Sequence, residues 1–403
     1  MLSLSPEAKK AFQIGSLCST AYLAVYVARN ILGSAAPQMI EQGIFTESQI
    51  GTLSSVYFIA YALGQLINGI IGDKVKGKYM ISFGLILAGI CNTVFAACSG
   101  NPMASSITYA MTGFALAMIY APMTKIVAEN VEPIYAPRCS LGYTFASFLG
   151  SPFAGILAAL LVWQWVFAAS SAVLLLMGTL CFVSFTVMER KGLVAYGKYD
   201  LPKESGGSIQ TLIRHRIIRF TMVSMLTGVV RTTVVFWLPT FISQYLGFSP
   251  KASAMIYTVG TFFISGSAFI AIFMYERLGR RMDLTMLLAF TTSATCFLLV
   301  WLIHIPFAGI LFMILAITTG NCASNILWST YCPSLRDTGM VSGATGFLDF
   351  ASYMAAAASS TLFSNAVTDI GWGPLILVWF GLMLIGVVIS LPQRKGKRAQ
   401  ERI

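Results

Sequence analysis

Two arginines lie inside long apolar stretches, where an ionised side chain is costly to place. Arg29 is found in YLAVYVARNILG and Arg231 in LTGVVRTTVVFWLP. An arginine at the centre of a bilayer costs at least about 2.5–3.5 kcal/mol unless it faces a polar cavity. The planar guanidinium group binds phosphate or carboxylate through two parallel hydrogen bonds. The pair therefore predicts a binding site for a small anion.

Acidic side chains that could neutralise these arginines are scarce. Of the 15 Asp and Glu residues, only Asp349 lies in the middle of an apolar stretch, GFLDFASYM. Glu129 and Lys125 are four residues apart and can pair with each other on one helix. At least one arginine is therefore expected to lack a protein carboxylate, so that an anionic substrate completes its coordination. The alternative is that the arginines bond backbone carbonyls at helix breaks, or that Asp349 neutralises one of them.

Composition indicates that the elements carrying these residues are membrane-spanning helices. Of the 403 residues, 57% are hydrophobic and 10% are charged, whereas a soluble domain carries roughly 25% charged residues. Apolar stretches of about 20 residues, the length that spans a bilayer as a helix, recur along the chain. We predict twelve transmembrane helices, near residues 13–37, 50–72, 79–98, 102–126, 139–162, 164–187, 217–244, 252–275, 284–304, 307–329, 340–365 and 373–391.

The two halves of the sequence resemble each other. Arg29 and Pro37 in the first half have Arg231 and Pro239 as counterparts in the second, at the same spacing. An internal repeat of six spans is typical of transporters built from two bundles with a binding site between them. The predicted fold class is an all-α integral membrane protein whose twelve helices form two six-helix bundles related by pseudo-two-fold symmetry. The predicted bounds are a first bundle at 1–188, a cytoplasmic linker at 189–216, and a second bundle with a basic tail at 217–403.

Lysine and arginine residues set the predicted orientation. When both termini are placed in the cytoplasm, all but four of the 26 lysines and arginines fall in cytoplasmic segments, in agreement with the positive-inside rule. The chain is thus predicted to be a multi-pass protein of the inner or plasma membrane, surrounded by the lipid bilayer. The net charge of +11 is spread over these short segments, which argues against nucleic acid as a partner.

One loop motif occurs in both halves. GIIGDKVKGK (69–78) joins predicted spans 2 and 3, and ERLGRR (276–281) joins spans 8 and 9. The pair resembles the signature loop of the major facilitator superfamily, at both positions where that family carries it. The resemblance implies that charged residues of these loops hold the inward gate. The residues concerned are Asp73, Lys74, Lys78, Glu276, Arg277, Arg280 and Arg281.

Further motifs make the resemblance more specific. They are YVARN (26–30), AAP (35–37), WQWVF (163–167), RTTVVFWLPT (231–240) and GATGFLDFASY (343–353). With them the sequence resembles the organophosphate:phosphate antiporter family, which includes glycerol-3-phosphate and hexose-phosphate transporters. The resemblance implies that Arg29 and Arg231 bind phosphate. Three positions depart from the family pattern and leave the exact substrate open: Gln65 replaces a lysine, Ala146 replaces a histidine, and Asp349 replaces a small residue.

Aromatic and amide side chains close to the arginines in the sequence are further candidates for the site. Tyrosine hydroxyls can bond substrate oxygens while the rings line the cavity, although packing in the core or at the membrane interface is the alternative for each tyrosine. Asp349 is the candidate counter-ion or coupling residue. The candidate substrate-binding residues are Arg29, Arg231, Tyr26, Trp237, Tyr57, Tyr61, Tyr143, Gln65 and Asn325.

The predicted function is secondary active transport of a small organic anion. The sequence contains no Walker loop and no HExxH motif, so no enzymatic activity, cofactor or metal is expected. The favoured substrate is an organophosphate that a monomeric carrier exchanges for inorganic phosphate by alternating access. Two alternatives stay open. One is a proton-coupled importer of an organic carboxylate, with Asp349 as the proton site, and the other is a membrane sensor of a sugar phosphate.

Overall fold

The chain folds into long helices. The structure, a computed structural model, describes residues 5–72, 75–132, 134–196, 213, 215–335 and 341–392. In these ranges there are twelve helices, numbered α1 to α12, and four of them are built from consecutive segments. Their bounds are α1 Pro6–Glu41; α2 Glu47–Gly72; α3 Gly77–Ala97; α4 Pro102–Leu116 and Tyr120–Asn130; α5 Ala136–Leu160; α6 Trp163–Arg190; α7 Ile217–Gly228, Val229–Val234 and Val235–Gln244; α8 Pro250–Ser265 and Ser267–Arg277; α9 Met282–Leu302; α10 Pro306–Ile326, Leu327–Tyr331 and Cys332–Ser334; α11 Val341–Ile370; and α12 Trp372–Ser390.

The twelve predicted spans are confirmed as helices. Within the described ranges, eleven helices are long and apolar enough to cross a membrane. The remaining one, α11, has 30 residues, which is also a sufficient length. α1 begins before its predicted span because Ser5 caps it. The Ser5 hydroxyl accepts a hydrogen bond from the Ala8 N–H, and Pro6 occupies the first helical position.

The helices pack as two six-helix bundles. In the first bundle, α1 packs on α5 and α6, α2 packs on α4, and α3 packs on α6. In the second bundle, α9 packs on α10 and α12, and α7 packs on α11. The most extensive contacts between the bundles in the described ranges are those of α2 with α11, α5 with α8, and α1 with α7. The two bundles therefore meet along α1, α2, α5, α7, α8 and α11.

A glycine lies at each of these three extensive contacts between the bundles. A Cβ atom added to Gly33 of α1 would lie 2.9 Å from the Phe236 ring of α7. Added Cβ atoms on Gly51 of α2 and Gly155 of α5 would overlap side chains of α11 and α8. Helices that meet at glycine approach closely, as is common in membranes. At these three points the backbone of one helix thus packs directly against side chains of the facing helix.

The bundles are joined at one end of the molecule. We name the end where α1 ends and α2 begins the distal end, and the end where α1 begins the terminal end. At the distal end, Gln244 donates a hydrogen bond of 2.6 Å to Glu47. Nearer the middle, the Ser55 hydroxyl of α2 donates to the Ala357 carbonyl of α11 at 2.5 Å. These bonds close the distal end between the bundles.

A larger residue at Gly51 is expected to open the distal end, because its side chain would overlap Ser364 and approach the Ser360 carbonyl. The native Ser48 hydroxyl forms a hydrogen bond with Asn365 of α11. The labelling rate of a cysteine substituted at this position therefore reports on the opening of the distal end. In detergent, Gly51→Leu should increase its rate of reaction with a maleimide by at least about tenfold.

A Cys98→Ser background suits this labelling, because the other native cysteines are all buried. Gly100→Leu is the matched control at the same end, since an added Cβ at Gly100 meets no atom within 4 Å. Equal labelling rates in the two leucine variants would contradict the proposed role of Gly51 in closure.

Candidate functional site

The two arginines lie midway along α1 and α7, in different local conformations. Arg29 belongs to a regular α-helix, whereas Arg231 belongs to a π-helical turn, Val229–Val234. A second π-helical turn, Leu327–Tyr331 of α10, carries Trp328, whose ring lies 5.9 Å from the Arg231 guanidinium carbon. Such turns widen a helix by one residue and are frequent at functional sites.

Arg29 is held by aromatic residues. Its Nη1 atom donates a hydrogen bond of 2.7 Å to the Tyr353 hydroxyl of α11. The guanidinium carbon lies 4.8 Å from the Tyr353 ring and 5.3 Å from the rings of Tyr26 and Tyr61. Among the described residues, no carboxylate oxygen comes within 4.0 Å of Arg29. The charge of Arg29 is therefore met by a hydroxyl and ring faces, and no ion pair compensates it in this part of the chain.

Arg231 has an acidic neighbour that is not hydrogen-bonded to it. Its Nη2 atom lies 3.8 Å from the Asp349 Oδ1 atom, and both side chains are 31% exposed. This separation exceeds hydrogen-bond distance. The buried Nη2 atom has no hydrogen-bond partner among the described residues. Arg231 thus keeps a donor free although a carboxylate is near.

Tyr353 links the two arginines and was not among the predicted site residues. Its ring lies 4.8 Å from the Arg29 guanidinium carbon and 5.8 Å from that of Arg231. It also packs edge-on against Tyr61 of α2, with ring centroids 4.9 Å apart. Tyr353 lies four residues after Asp349, on the same helix face. That spacing within GATGFLDFASY was the signal in the sequence that could have identified it.

Three of the predicted tyrosines surround the arginine of the first bundle. Tyr26 and Tyr61 contact Arg29 directly. Tyr57 stacks on Tyr61 at 6.1 Å and lies fully buried, and its hydroxyl has no hydrogen-bond partner in the described part of the chain. Gln65 follows on the same face of α2, one turn beyond Tyr61, and is half-buried.

Tyr143 lies in a group of four tyrosines on the terminal side of Arg29. Its ring centroid is 6.1 Å from that of Tyr22 and 6.2 Å from that of Tyr120. Tyr22 in turn packs against Tyr26 at 4.9 Å. An aromatic wall therefore extends along the first bundle from Arg29 towards the terminal end.

Trp237 and Asn325 are used in packing within the second bundle. Trp237 is fully buried, and its ring contacts those of Phe236 and Trp372. The Asn325 side chain donates a hydrogen bond of 3.1 Å to Ser267 of α8. The structure does not bring either residue together with the arginines, because both side chains are directed into contacts between neighbouring helices.

The first signature loop is tied to the end of α6. Lys78 is 7% exposed in its side chain and lies 2.5 Å from Glu189, which also binds Lys76 at 2.8 Å. The hydrogen bond to Glu189 raises the pKa of the Lys76 ammonium group above its ordinary value, so this ion pair persists at physiological pH. Asp73 and Lys74, the other predicted residues of this loop, lie outside the described residues.

The second signature loop differs from the first. Its charged side chains are exposed, and the ion pair nearby uses Asp283, just beyond the motif. Asp283 lies 3.1 Å from Arg219 of α7, and Arg219 donates a hydrogen bond of 2.7 Å to the Ile389 carbonyl at the end of α12. The exposed residues are Glu276, Arg277, Arg280 and Arg281.

Comparison with known families identifies the fold family of this chain. Residues 18–360 match the model of the Major Facilitator Superfamily. The chain belongs to this superfamily. Among solved structures, the D-xylose-proton symporter aligns with a TM-score of 0.74 at 12% identity over 94% of this chain and 97% of the symporter. An inward-facing bacterial homologue of the human lysosomal transporter Spinster aligns at 0.72 and 13% identity over 96% and 95%. At these identities the likeness establishes the fold.

Curated relatives include a membrane sensor and two transporters. Membrane sensor protein UhpC of Salmonella typhimurium is 31% identical over 93 residues, which cover 23% of this chain and 21% of the sensor. The glycerol-3-phosphate transporter of Bacillus subtilis is 23% identical over 262 residues, covering 59% of this chain and 58% of the transporter. The phosphoglycerate transporter protein of Salmonella typhimurium is 37% identical over 71 residues, covering 18% and 15%. The chain thus spans less than two thirds of each relative. Together they confirm the resemblance to the organophosphate:phosphate antiporter family.

Replacing Tyr353 by phenylalanine is expected to destabilise the contact between the bundles. The variant keeps the ring but loses the hydroxyl that accepts the bond from Arg29. Because hydrogen bonds to charged groups contribute about 1.5–3 kcal/mol, thermal unfolding of the detergent-purified protein should begin at a lower temperature. Tyr245→Phe is the control, since the Tyr245 hydroxyl makes no hydrogen bond in the described structure. If Tyr353→Phe unfolds at the same temperature as the wild type and Tyr245→Phe, the hydrogen bond from Arg29 does not contribute to stability.

Proposed function

We propose that this transporter exchanges a small organophosphate for inorganic phosphate by alternating access, with the phosphoryl group bound between Arg29 and Arg231. The observation that carries the proposal is that each arginine comes from a different bundle and each is incompletely neutralised. Arg29 has a hydroxyl where an anion would be expected, and Arg231 has a free buried donor. A phosphoryl group offers the acceptors that both guanidinium groups require.

Binding at this site would couple to movement of the bundles. Arg29 is carried by α1 of the first bundle, and Arg231 is carried by α7 of the second. An anion that bonds both arginines draws the bundles together on the side where they are apart, which favours an occluded state. Tyr353 occupies an Arg29 donor until the substrate replaces it. Transport therefore needs no energy source beyond the gradients of the exchanged anions.

The orientation that we propose places the terminal end in the cytoplasm. The lysines and arginines of the segments at that end support it by the positive-inside rule. Because the bundles are joined at the distal end by bonds such as Gln244 to Glu47, the site would open towards the cytoplasm. We propose a location in the inner or plasma membrane, with a monomer as the working unit.

We propose the same domain bounds as those predicted from the sequence: a first bundle at 1–188, a linker at 189–216, and a second bundle at 217–403. The first residues of the linker are in contact with the first bundle. Val194 is buried, and the Ala195 N–H donates a hydrogen bond of 2.7 Å to the Asn130 side chain of α4. These residues of the linker therefore pack with the first bundle.

Counterflow in proteoliposomes tests the exchange. Vesicles loaded with unlabelled phosphate should accumulate labelled phosphate, and Arg29→Ala or Arg231→Ala should each reduce the initial rate at least about tenfold, because a charge-assisted bidentate contact is lost. Arg138→Ala, which removes an exposed arginine at the start of α5, is the control and should retain the rate.

The outcome of counterflow separates the alternatives. Absence of phosphate counterflow in well-folded protein would overturn the exchange. Binding of a sugar phosphate without any flux would favour a membrane sensor, as the relative UhpC is named.

One observation favours a second function, the proton-coupled import of an organic carboxylate. Asp349 lies in the site, is 31% exposed, and is 3.8 Å from Arg231, so that a proton and a substrate could compete for this pair. In that case uptake should rise as the external pH falls, and Asp349→Asn should abolish accumulation while leaving the protein folded. Phosphate counterflow that Asp349→Asn retains would contradict this second function.

A further inference from the structure

The charges of the site do not balance those of a simple phosphate ester. Arg29 and Arg231 bring two positive charges, and Asp349 brings one negative charge beside Arg231. A phosphate monoester carries about −1.5 to −2 near pH 7. Bound between the arginines, such an ester would leave the site with excess negative charge in a region of low dielectric, which is unfavourable.

Asp349 is available to a ligand. The Asp349 Oδ1 atom is 3.8 Å from Arg231 Nη2, beyond hydrogen-bond distance, and its side chain is 31% exposed. No donor in the described ranges forms a hydrogen bond to this carboxylate. Its oxygens can therefore accept bonds from a substrate, and a cation would be the strongest partner.

The surroundings of Asp349 also suit a cation. Tyr353, one helical turn away on α11, presents a hydroxyl that is engaged by Arg29, so it does not compete for the carboxylate. The Trp328 ring of α10 lies 5.9 Å from the guanidinium carbon of the neighbouring Arg231. An aromatic ring beside this pair can also face an ammonium group.

We propose that the substrate is a zwitterionic phosphate ester, in which an ammonium group follows the phosphoryl group after a spacer of about two carbons. The inference rests on the proposed binding of phosphate by Arg29 and Arg231. The phosphoryl group occupies the two arginines, and the ammonium group bonds Asp349. The spacer is short because Asp349 lies within 4 Å of Arg231. A net charge near −1 on the ligand then matches the net charge of +1 contributed by these three side chains.

Competition between two ligands of similar size tests the proposal. Ethanolamine phosphate carries an ammonium group where glycerol 3-phosphate carries hydroxyl groups. In phosphate counterflow, ethanolamine phosphate should inhibit the wild type at a concentration at least about tenfold lower than glycerol 3-phosphate does, as expected for one charge-assisted hydrogen bond. Asp349→Asn should lose this preference, so that the two esters inhibit its remaining phosphate counterflow at similar concentrations, because the amide keeps the shape but not the charge.

Asp369→Asn is the matched control, since it makes the same exchange at an exposed position of α11; it should keep the preference. Equal inhibition by the two esters in the wild type, or an unchanged preference in Asp349→Asn, would overturn the proposal while leaving phosphate exchange intact. If phosphate counterflow itself is absent, stabilisation of the purified protein against heat by each ester gives the same comparison. A larger shift with ethanolamine phosphate that Asp349→Asn removes would support the zwitterion, and equal shifts would overturn it.

Discussion

The energetic cost of two guanidinium groups inside a bilayer constrains the rest of this structure. Arg29 and Arg231 can be tolerated there only if helices from both bundles supply polar and aromatic neighbours. Tyr353 of α11 contacts both groups, and Asp349 of the same helix lies beside Arg231. One face of α11 therefore carries residues of the site.

Much of the fold could be predicted from the sequence because the bilayer imposes a length on every apolar stretch. The twelve helices, the repeat and the two central arginines follow from local composition and spacing. The site was harder to predict, because contacts between helices depend on how each helix is rotated. Trp237 was proposed for its closeness to Arg231 in the sequence, yet its ring is directed towards Trp372. Tyr353 is far from both arginines in the sequence and close to both in space.

The sequence repeat also hides differences between the bundles. Arg29 and Arg231 are counterparts, but only Arg231 lies in a π-helical turn. In the first bundle a lysine pair binds Glu189 at the end of α6, whereas in the second bundle Arg219 joins Asp283 to the end of α12. Loop motifs alone could not reveal these partners, since Glu189 and Arg219 lie outside them. Equivalent positions therefore have equivalent places in the fold and different chemical partners.

The glycines at the three most extensive contacts between the bundles have a consequence for the speed of transport. At each of these contacts only the facing residue (Phe236, Ser364 or Thr258) presents a side chain, so fewer rotamers have to change when the bundles move against each other. The glycine side of each contact loses and regains no side-chain entropy when the surfaces part. The two access states can then be nearly equal in free energy, and the barrier between them stays low. A ligand that binds only moderately can bias such a balance, and it can still be released on the other side of the membrane.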